Sequence, residues 1–489
     1  MAGCVGLVDI PEQQRHDVLR WVPSDGNLAL IGAFGSGTTS GLAAVVTSIC
    51  AAADPDERHV YVVDARGDER LDALTRLPHC AGVVRPHERE RLTRLLDRLV
   101  GELDRRRASG GRNGRPEIVL AVDGISALRA MLDGPGDGTR WEQLGRLVSE
   151  GAAVGISCVL TAERPGAVPA AVLAACAERW IFHLDDAGEA TLCGVRSVAV
   201  PAPIPGRVVV ASSGCEAQLA MSADAPTRPE PSAGGPSDID VLPAIVDAAK
   251  MPAGRVTAAG ELELAVGLDF ATLAIARLDV PDGEHVLVAG PPRSGRTTAL
   301  HRMVVSWAEA RPGEQIVSVS SRRRPLLAPL PEVIEADVAA AVDAIEAAAG
   351  RPCLLFVDDA EHVDDPRLAG LVAERRPGLL VVAAGRPEGL RSLYGHWTSV
   401  VRRSRLGLLF AACADTDGDV LGELLPRHRP LPARPGLAWL VAGGGRSLVQ
   451  VASCHDRVRL AGKLLDSPPE LAAAAAQRRS PTCPIRGAS

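Results

Sequence analysis

The sequence predicts two tandem α/β domains, each built around a mostly parallel central sheet, and three observations carry that prediction. The chain repeats its own punctuation at domain spacing, each repeat alternates short apolar runs with helical segments, and a stretch with no apolar period separates the two. At 489 residues the chain exceeds one hydrophobic core at roughly 150 to 250 residues per domain.

The duplication is read in order. "VGLVDIPEQQRHDVLRWVPSDGNLALIGAFGSGTTS" is answered by "VGLDFATLAIARLDVPDGEHVLVAGPPRSGRTT", each an apolar strand running into a glycine-rich loop and a helical segment. "EIVLAVDGISAL" is answered by "PCLLFVDDAEHV"; continuous apolar runs ending in aspartate predict buried parallel strands. "VGISCVLTAERP" matches "PGLLVVAAGRP", and "PGRVVVASSGCEAQLAM" matches "PGLAWLVAGGGRSLVQVA", a closing hairpin in each copy. Helices are expected at "RERLTRLLDRLVGELDRRR" and "AAAVDAIEAAA". The first domain is drawn over residues 1–221 and the second over 251–467. The Pro, Ser, Gly and Ala-rich stretch beginning "SADAPTRPEPSAGGPSDID" supplies a linker over 222–250, and residues 468–489 form a tail read as a short helix followed by disorder.

Composition narrows the function. A net charge of -7 and a pI near 5.9 give no global basic field for nucleic acid or anionic lipid. The start lacks a basic and apolar leader, and nowhere do about 18 uncharged apolar residues run together, so a cytoplasmic chain without direct membrane insertion is expected. The eleven cysteines are scattered without a C-x-x-C pair, which predicts no structural metal and a reducing compartment. Lysine appears only at Lys250 and Lys463, against fifty-one arginines.

That scarcity bears on the loops. A phosphate-binding loop reads G-x-x-x-x-G-K-S/T between strand and helix: the glycines turn backbone amides onto phosphates, the lysine bridges the β- and γ-phosphates, and the hydroxyl holds Mg²⁺. The first copy, Gly32 to Thr39, keeps Gly35, Ser36, Gly37 and Thr39 but has Thr38 in the lysine's place. The second, Gly290 to Thr297 followed by Thr298, keeps Arg293, Ser294, Gly295 and Thr297 and has Arg296 there. The strand aspartates Asp123 and Asp358 are the Mg²⁺-coordinating candidates alongside Thr39 and Thr297. Gly124 follows the first, so turnover there is not expected. Asp359 follows the second and is the candidate catalytic carboxylate, one methylene shorter than glutamate; if either copy is a slow ATP hydrolase, it is the second. Arg164 and Arg386 are candidates for a γ-phosphate sensor or an inter-subunit finger, or are solvated loop arginines. Arg179 is equally open. Arg402, Arg403 and Arg405 suggest a basic strand edge or an inter-subunit contact.

These blocks, with "LPHCAGVV" and "GRVVV", resemble FtsK/SpoIIIE-type ATPase domains, and most closely the tandem copies at the C-terminal end of EccC/EssC-type ATPases of type VII secretion systems. The resemblance implies two tandem P-loop NTPase (RecA/FtsK-like) domains that bind ATP and Mg²⁺. It implies coupling to a membrane-anchored part at the cytoplasmic face, other subunits of a secretion assembly as partners, WXG-type protein substrates, and stacking as a homo-hexamer. Thr38, Arg296, Gly124 and Asp359 depart from the family pattern, which points to a nucleotide-stabilised regulator of weak or no turnover. A DNA translocase of the FtsK class is the alternative, disfavoured by the acidic charge and the short tail; a nucleotide-free scaffold is the third reading.

Overall fold

The computed structural model describes residues 4–112, 114–132, 138–220, 234–320, 333–348, 350–426 and 431–453. It divides into two compact units, Met1–Val241 and Leu242–Ser489.

In the first unit the strands are β1 (Cys4–Ile10), β2 (Arg15–Arg20), β3 (Asn27–Ile31), β4 (Arg58–Asp64), β5 (Cys80–Val84), β6 (Glu117–Asp123), β7 (Ile156–Ala162), β8 (Cys176–Ile181), β9 (Arg207–Val210) and β10 (Glu216–Leu219). They lie in the order β2-β1-β10-β9-β8-β3-β7-β6-β4-β5. From β8 to β5 every pairing is parallel; from β8 to β2 every pairing is antiparallel. Buried β3 sits between β7 and β8, as its unbroken apolar run requires.

The helices are α1 (Thr38–Cys50), α2 (Arg89–Ala108), α3 (Ile125–Met131), α4 (Gly138–Glu150) and α5 (Ala170–Ala174). Side chains alternate along the strands, so Leu28, Leu30, Val119 and Ala121 pack with α1 on one face while Ala29, Ile31, Ile118, Leu120 and Val122 pack with α2 to α5 on the other. In α2, Leu92, Leu95, Leu96, Leu99 and Leu103 recur at helical spacing and supply one buried stripe.

The second unit repeats this plan. Its strands are β11 (Val246–Asp247), β12 (Arg255–Val256), β13 (Leu262–Asp269), β14 (Ile275–Val280), β15 (Val286–Ala289), β16 (Gln315–Ser320), β17 (Val333–Glu335), β18 (Cys353–Asp358), β19 (Leu379–Gly385), β20 (Gly407–Phe410), β21 (Leu437–Ala442) and β22 (Gly445–Ser453). The order β13-β22-β21-β20-β15-β19-β18-β16-β17 matches β1-β10-β9-β8-β3-β7-β6-β4-β5 strand for strand. Helix α6 (Arg296–Ala310) covers one face, and α7 (Val338–Ala347), α8 (Pro366–Ala373), α9 (Pro387–Ser392) and α10 (Thr398–Arg403) the other. Asp337 and Asp365 cap α7 and α8 by accepting from Ala340 N and from Arg367 N and Leu368 N.

Two expectations meet a different structure. The described part of the 222–250 stretch is packed: Arg91 and Arg98 on α2 donate to the carbonyls of Ile239, Ser237 and Asp238, while Leu242 is buried in the second core and β11 pairs with β22. The division therefore falls between Val241 and Leu242, because Ile239 and Leu242 bury their side chains in different cores. The run at Arg402 to Arg405 is no strand edge. It precedes β20, which is hydrogen-bonded on both sides, and Arg402 donates to the carbonyls of Val420 and Leu390. Residues 222–233 of the linker and the whole 468–489 tail lie outside the described residues. No helix among the described residues is long and apolar enough to cross a membrane.

Candidate functional site

Each unit presents its glycine loop at the tip of the sheet. In the first, Gly32 to Gly37 join β3 to α1. Gly37 has φ +103, and a Cβ there would come within 2.9 Å of Gly206 N, so only glycine fits where the loop passes the turn into β9. Gly295 repeats this in the second unit at φ +114, 2.8 Å from Gly436 N. Ser36 N donates to Ala33 O and Ser294 N to Pro291 O, closing the same turn. The Ser36 and Ser294 hydroxyls are both buried without a hydrogen-bond partner, an arrangement a folded chain rarely leaves and a phosphate oxygen would satisfy. Gly35 is exposed, as is Phe34 at the loop's crest; Arg293, exposed, and Gly290, buried, hold the corresponding frame in the second loop, and Thr298 lies in the first turn of α6.

In the first unit the structure brings Thr39 and Asp123 together. The Thr39 hydroxyl donates to Asp123 at 3.0 Å to Oδ2 and 3.1 Å to Oδ1. Thr161 on β7 donates to Asp123 Oδ1 at 2.7 Å, and its oxygen accepts from Gly124 N at 2.8 Å. Burial pushes the Asp123 carboxyl above the usual range, while the Thr161 hydrogen bond, the Arg66 charge and the Thr39 hydrogen bond pull it back. A hydroxyl and a buried carboxylate at the start of α1 are the donor set a Mg²⁺ ion takes beside phosphates. Thr38 is buried, and the loop from Gly32 to Thr39 carries no Lys or Arg, so it supplies no cation of its own.

Gly124 has φ +83, and a Cβ there would meet Arg66 Cγ at 2.7 Å. Arg66, just beyond β4, thus lies over the place of the missing carboxylate, and its Nη2 reaches Glu163 Oε2 at 3.4 Å. Glu163 accepts from the Ser126 hydroxyl at 2.6 Å. Asp64, paired in register with Asp123, accepts from the backbone of Arg66 and Gly67 and from Arg85. Sequence reasoning passed over Arg66, Thr161 and Glu163. The acidic residue in "TAERP" was the available signal for the last.

In the second unit the structure brings Arg296 and Asp359 together, Nη2 to Oδ1 at 3.3 Å, with Arg296 only 6% exposed. Asp358 is fully buried, and Asp359 adopts φ +50. Ala384 stands where Thr161 stands in the first unit, since Ala162 pairs with Ile31 and Gly385 with Ala289. That register also offsets the two arginine candidates: Arg386 follows the strand directly, at the place of Glu163, while Arg164 comes one residue later. Both are exposed. Arg164 is 3.9 Å from Glu189, and Arg386 N donates to Glu361 Oε1. Arg179 donates to the carbonyls of Leu173 and Cys193 and ties β8 to its neighbours. Among the described residues no three His, Cys, Asp or Glu side chains are grouped to hold a metal.

Residues 7–199 match the FtsK/SpoIIIE family model. The chain is similar to the ESX secretion system protein YukB of Bacillus subtilis (24% identical over 329 residues, 61% of this chain and 22% of that protein). It is also similar to the ESX-3 secretion system protein EccC3 of Mycobacterium tuberculosis (26% over 461 residues, 79% and 34%). It spans between about a fifth and a third of the length of these relatives. In fold it is similar to EssC (ATPases 2 and 3) of Geobacillus thermodenitrificans, with TM-score 0.75 at 19% identity, covering 92% of this chain and 96% of that one. Thermomonospora curvata EccC (ATPases 2 and 3) in complex with a signal sequence peptide gives TM-score 0.63 at 23% identity, covering 93% of each. The first unit therefore carries an FtsK/SpoIIIE family domain.

Proposed function

We propose, from an FtsK/SpoIIIE domain at residues 7–199 and a second unit of the same topology, that the chain is a tandem nucleotide-binding module of a type VII secretion ATPase. Both loops bind ATP with Mg²⁺; the first holds it without turnover, and any slow hydrolysis belongs to the second. The observation that carries this reading is the Thr39 hydroxyl against the buried Asp123 at the tip of β6, with Gly124 and the Arg66 side chain where a water-positioning carboxylate belongs. Bound Mg²⁺ would neutralise phosphate charge; Thr39 and Asp123 would hold it in the first unit, Thr297 and Asp358 in the second. Gly124 offers no group to orient water, and Asp359 offers a short one.

The relatives are secretion-system proteins, and the solved EccC neighbour was captured with a signal sequence peptide. On that likeness the module works beside other subunits of a secretion assembly, as a stacked homo-hexamer at the cytoplasmic face of the membrane, and recognises WXG-type protein substrates. Calorimetric titration of the full chain with Mg-ATP, alongside Thr39→Ala and Thr297→Ala, tests the reading. Magnesium-dependent binding that falls stepwise in the two variants is expected. A parent protein that takes up no nucleotide would leave both loops as structural turns.

A further inference from the structure

We propose that Asp359 sets the nucleotide preference of the second site: it engages the Arg296 guanidinium as an internal anion, so that a γ-phosphate must displace it while a diphosphate need not. This rests on reading the second loop as a nucleotide site and adds which nucleotide that site favours.

Arg296 stands in the loop's lysine position, at the first residue of α6, and its Nη2 lies 3.3 Å from Asp359 Oδ1. The guanidinium is 6% exposed, so solvent and salt screen the pair little. The fork of an arginine presents several donors, and here Nη1 is buried with no hydrogen-bond partner; the Ser294 hydroxyl in the same loop is likewise buried and unpartnered. Two orphaned donors, each more than nine-tenths buried in one loop, are the mark of a site shaped for an anion.

Asp359 meets that cation from the turn after β18. It adopts φ +50, a conformation costly for a residue with a side chain, and its carboxylate is turned to Arg296. The first unit has neither half of the arrangement: Thr38 supplies no cation, and Gly124 no carboxylate. A nucleoside diphosphate takes its contacts from the loop amides, Ser294 and the unpartnered Arg296 Nη1, and leaves the Nη2–Asp359 contact closed. A triphosphate brings its terminal charge to the place where Asp359 already neutralises the arginine, and its affinity is lowered by that competition. A carboxylate placed to orient water, by contrast, is needed in turnover and indifferent to ground-state affinity.

The test uses the full chain in a Thr39→Ala background, which silences the first loop, and titrates Mg-ATP and Mg-ADP separately. Asp359→Asn, uncharged and isosteric, is expected to tighten Mg-ATP about tenfold or more, the worth of one charge-assisted hydrogen bond. Mg-ADP should move by less than about threefold, well under that amount. Arg296→Lys, shorter and without the fork, releases the pair from its other side and should shift the preference the same way; melting curves confirm that each variant folds. Equal tightening of both nucleotides overturns the proposal; unchanged Mg-ATP affinity with a loss of measured turnover overturns it and makes Asp359 a catalytic carboxylate. Binding in the background with no ATP-selective gain sinks this inference alone. No binding in the background or in either folded variant sinks the nucleotide reading and the inference together.

Discussion

The tips of β6 and β18 are the same backbone put to two electrostatic arrangements. At β6 the terminal aspartate is wrapped by hydroxyls, Thr39 from the loop and Thr161 from β7, and the next residue is a glycine beneath the Arg66 side chain. At β18, Ala384 replaces the β7 hydroxyl, the next residue is Asp359, and the arginine against it comes from the loop itself. In each unit, then, an arginine lies against the residue that follows the strand's aspartate, but its origin differs: the end of β4 in one, the first turn of α6 in the other. The duplication conserved strand order and loop shape, which depend on backbone, and let the charges be supplied from whichever element was near.

Converting the first tip toward the second is the harshest test of that comparison. Gly124→Asp would place a side chain at φ +83, costing about 1–2 kcal/mol, and drive it into the Arg66 stem, which adds about 1–3 kcal/mol of overpacking. A loss of about 3 kcal/mol is expected in the first unit, read as faster amide hydrogen exchange along β6, and Arg66→Ala in the same chain should recover the packing share. If Gly124→Asp is tolerated without Arg66→Ala, the two tips are more interchangeable than their contacts indicate.

Next in size is Thr161→Val. The change keeps the shape but strands Gly124 N and leaves Asp123 Oδ1 with the Thr39 hydroxyl alone, and a buried unpaired group costs about 1–3 kcal/mol. Exchange should rise at Gly124 and its neighbours while the second unit is unmoved. Unchanged protection at Gly124 would show the hydroxyl bridge to be dispensable there as it is beside Ala384.

How much of this was legible in the sequence follows from what each feature depends on. The parallel strands, the hairpins and both loops were readable because apolar runs and glycine spacing are local signals, and β6 and β18 end at the aspartates those runs pointed to. The side chains that meet the aspartates were not, since Arg66 and Thr161 reach them only through strand pairing. Aligning "TAERP" with "AAGRP" on their prolines also hid a one-residue offset, because the pairing of Ala162 with Ile31 and of Gly385 with Ala289 fixes register and proline does not. Glu163 and Arg386 consequently share a place that the motif comparison assigned to Arg164 and Arg386. The packing of residues 234 to 250 was not legible because Ile239, Leu242 and Val246 are buried in three different clusters while the neighbouring Val241 and Ile245 are exposed, a pattern set by tertiary partners and not by local sequence.

The opposite ends of the two sheets differ in a way that pH can expose. Asn27, opening β3, accepts from Cys158 N and donates to Val148 O; His285, before β15, accepts at Nδ1 from Val381 N and faces Val372 O with Nε2. The partners correspond, but only the histidine titrates. Burial first, then the Arg375 charge, hold its imidazole below the ordinary 6.5, against the Val372 hydrogen bond and the Glu284 charge. As pH falls the unfolded chain takes up the proton first. The stability that neutral, buried His285 contributes to the second unit is fully present above about 6.5 and is lost below it, at up to about 1.4 kcal/mol per pH unit until the folded imidazole itself titrates. Hydrogen exchange at pH 7.5 and 5.5, corrected for intrinsic rates, should show β15 and β19 weakening more than β3 and β7. His285→Asn should abolish the difference; a slope that survives that substitution belongs to other groups.

The smallest effect concerns the loops themselves, where one backbone is occupied by residues of unequal cost. Gly35 holds φ +81 in the first loop, and Arg293 holds φ +63 at the matching place in the second. The left-handed conformation is free to glycine and costs an ordinary L-residue about 1–2 kcal/mol. Glycine returns part of that through the extra freedom of its unfolded chain, about 0.5–1 kcal/mol. Arg293→Gly is therefore expected to stabilise the second unit by up to about 1 kcal/mol, seen as slower exchange at the start of α6. Gly35→Arg should weaken the first unit by a similar amount at α1. Because Arg293 is exposed, the same pair of variants also separates strain from charge. If Arg293→Gly weakens Mg-ATP binding while strengthening the fold, the arginine is retained for its charge toward phosphate; if affinity is unchanged, the strained residue serves neither stability nor the ligand.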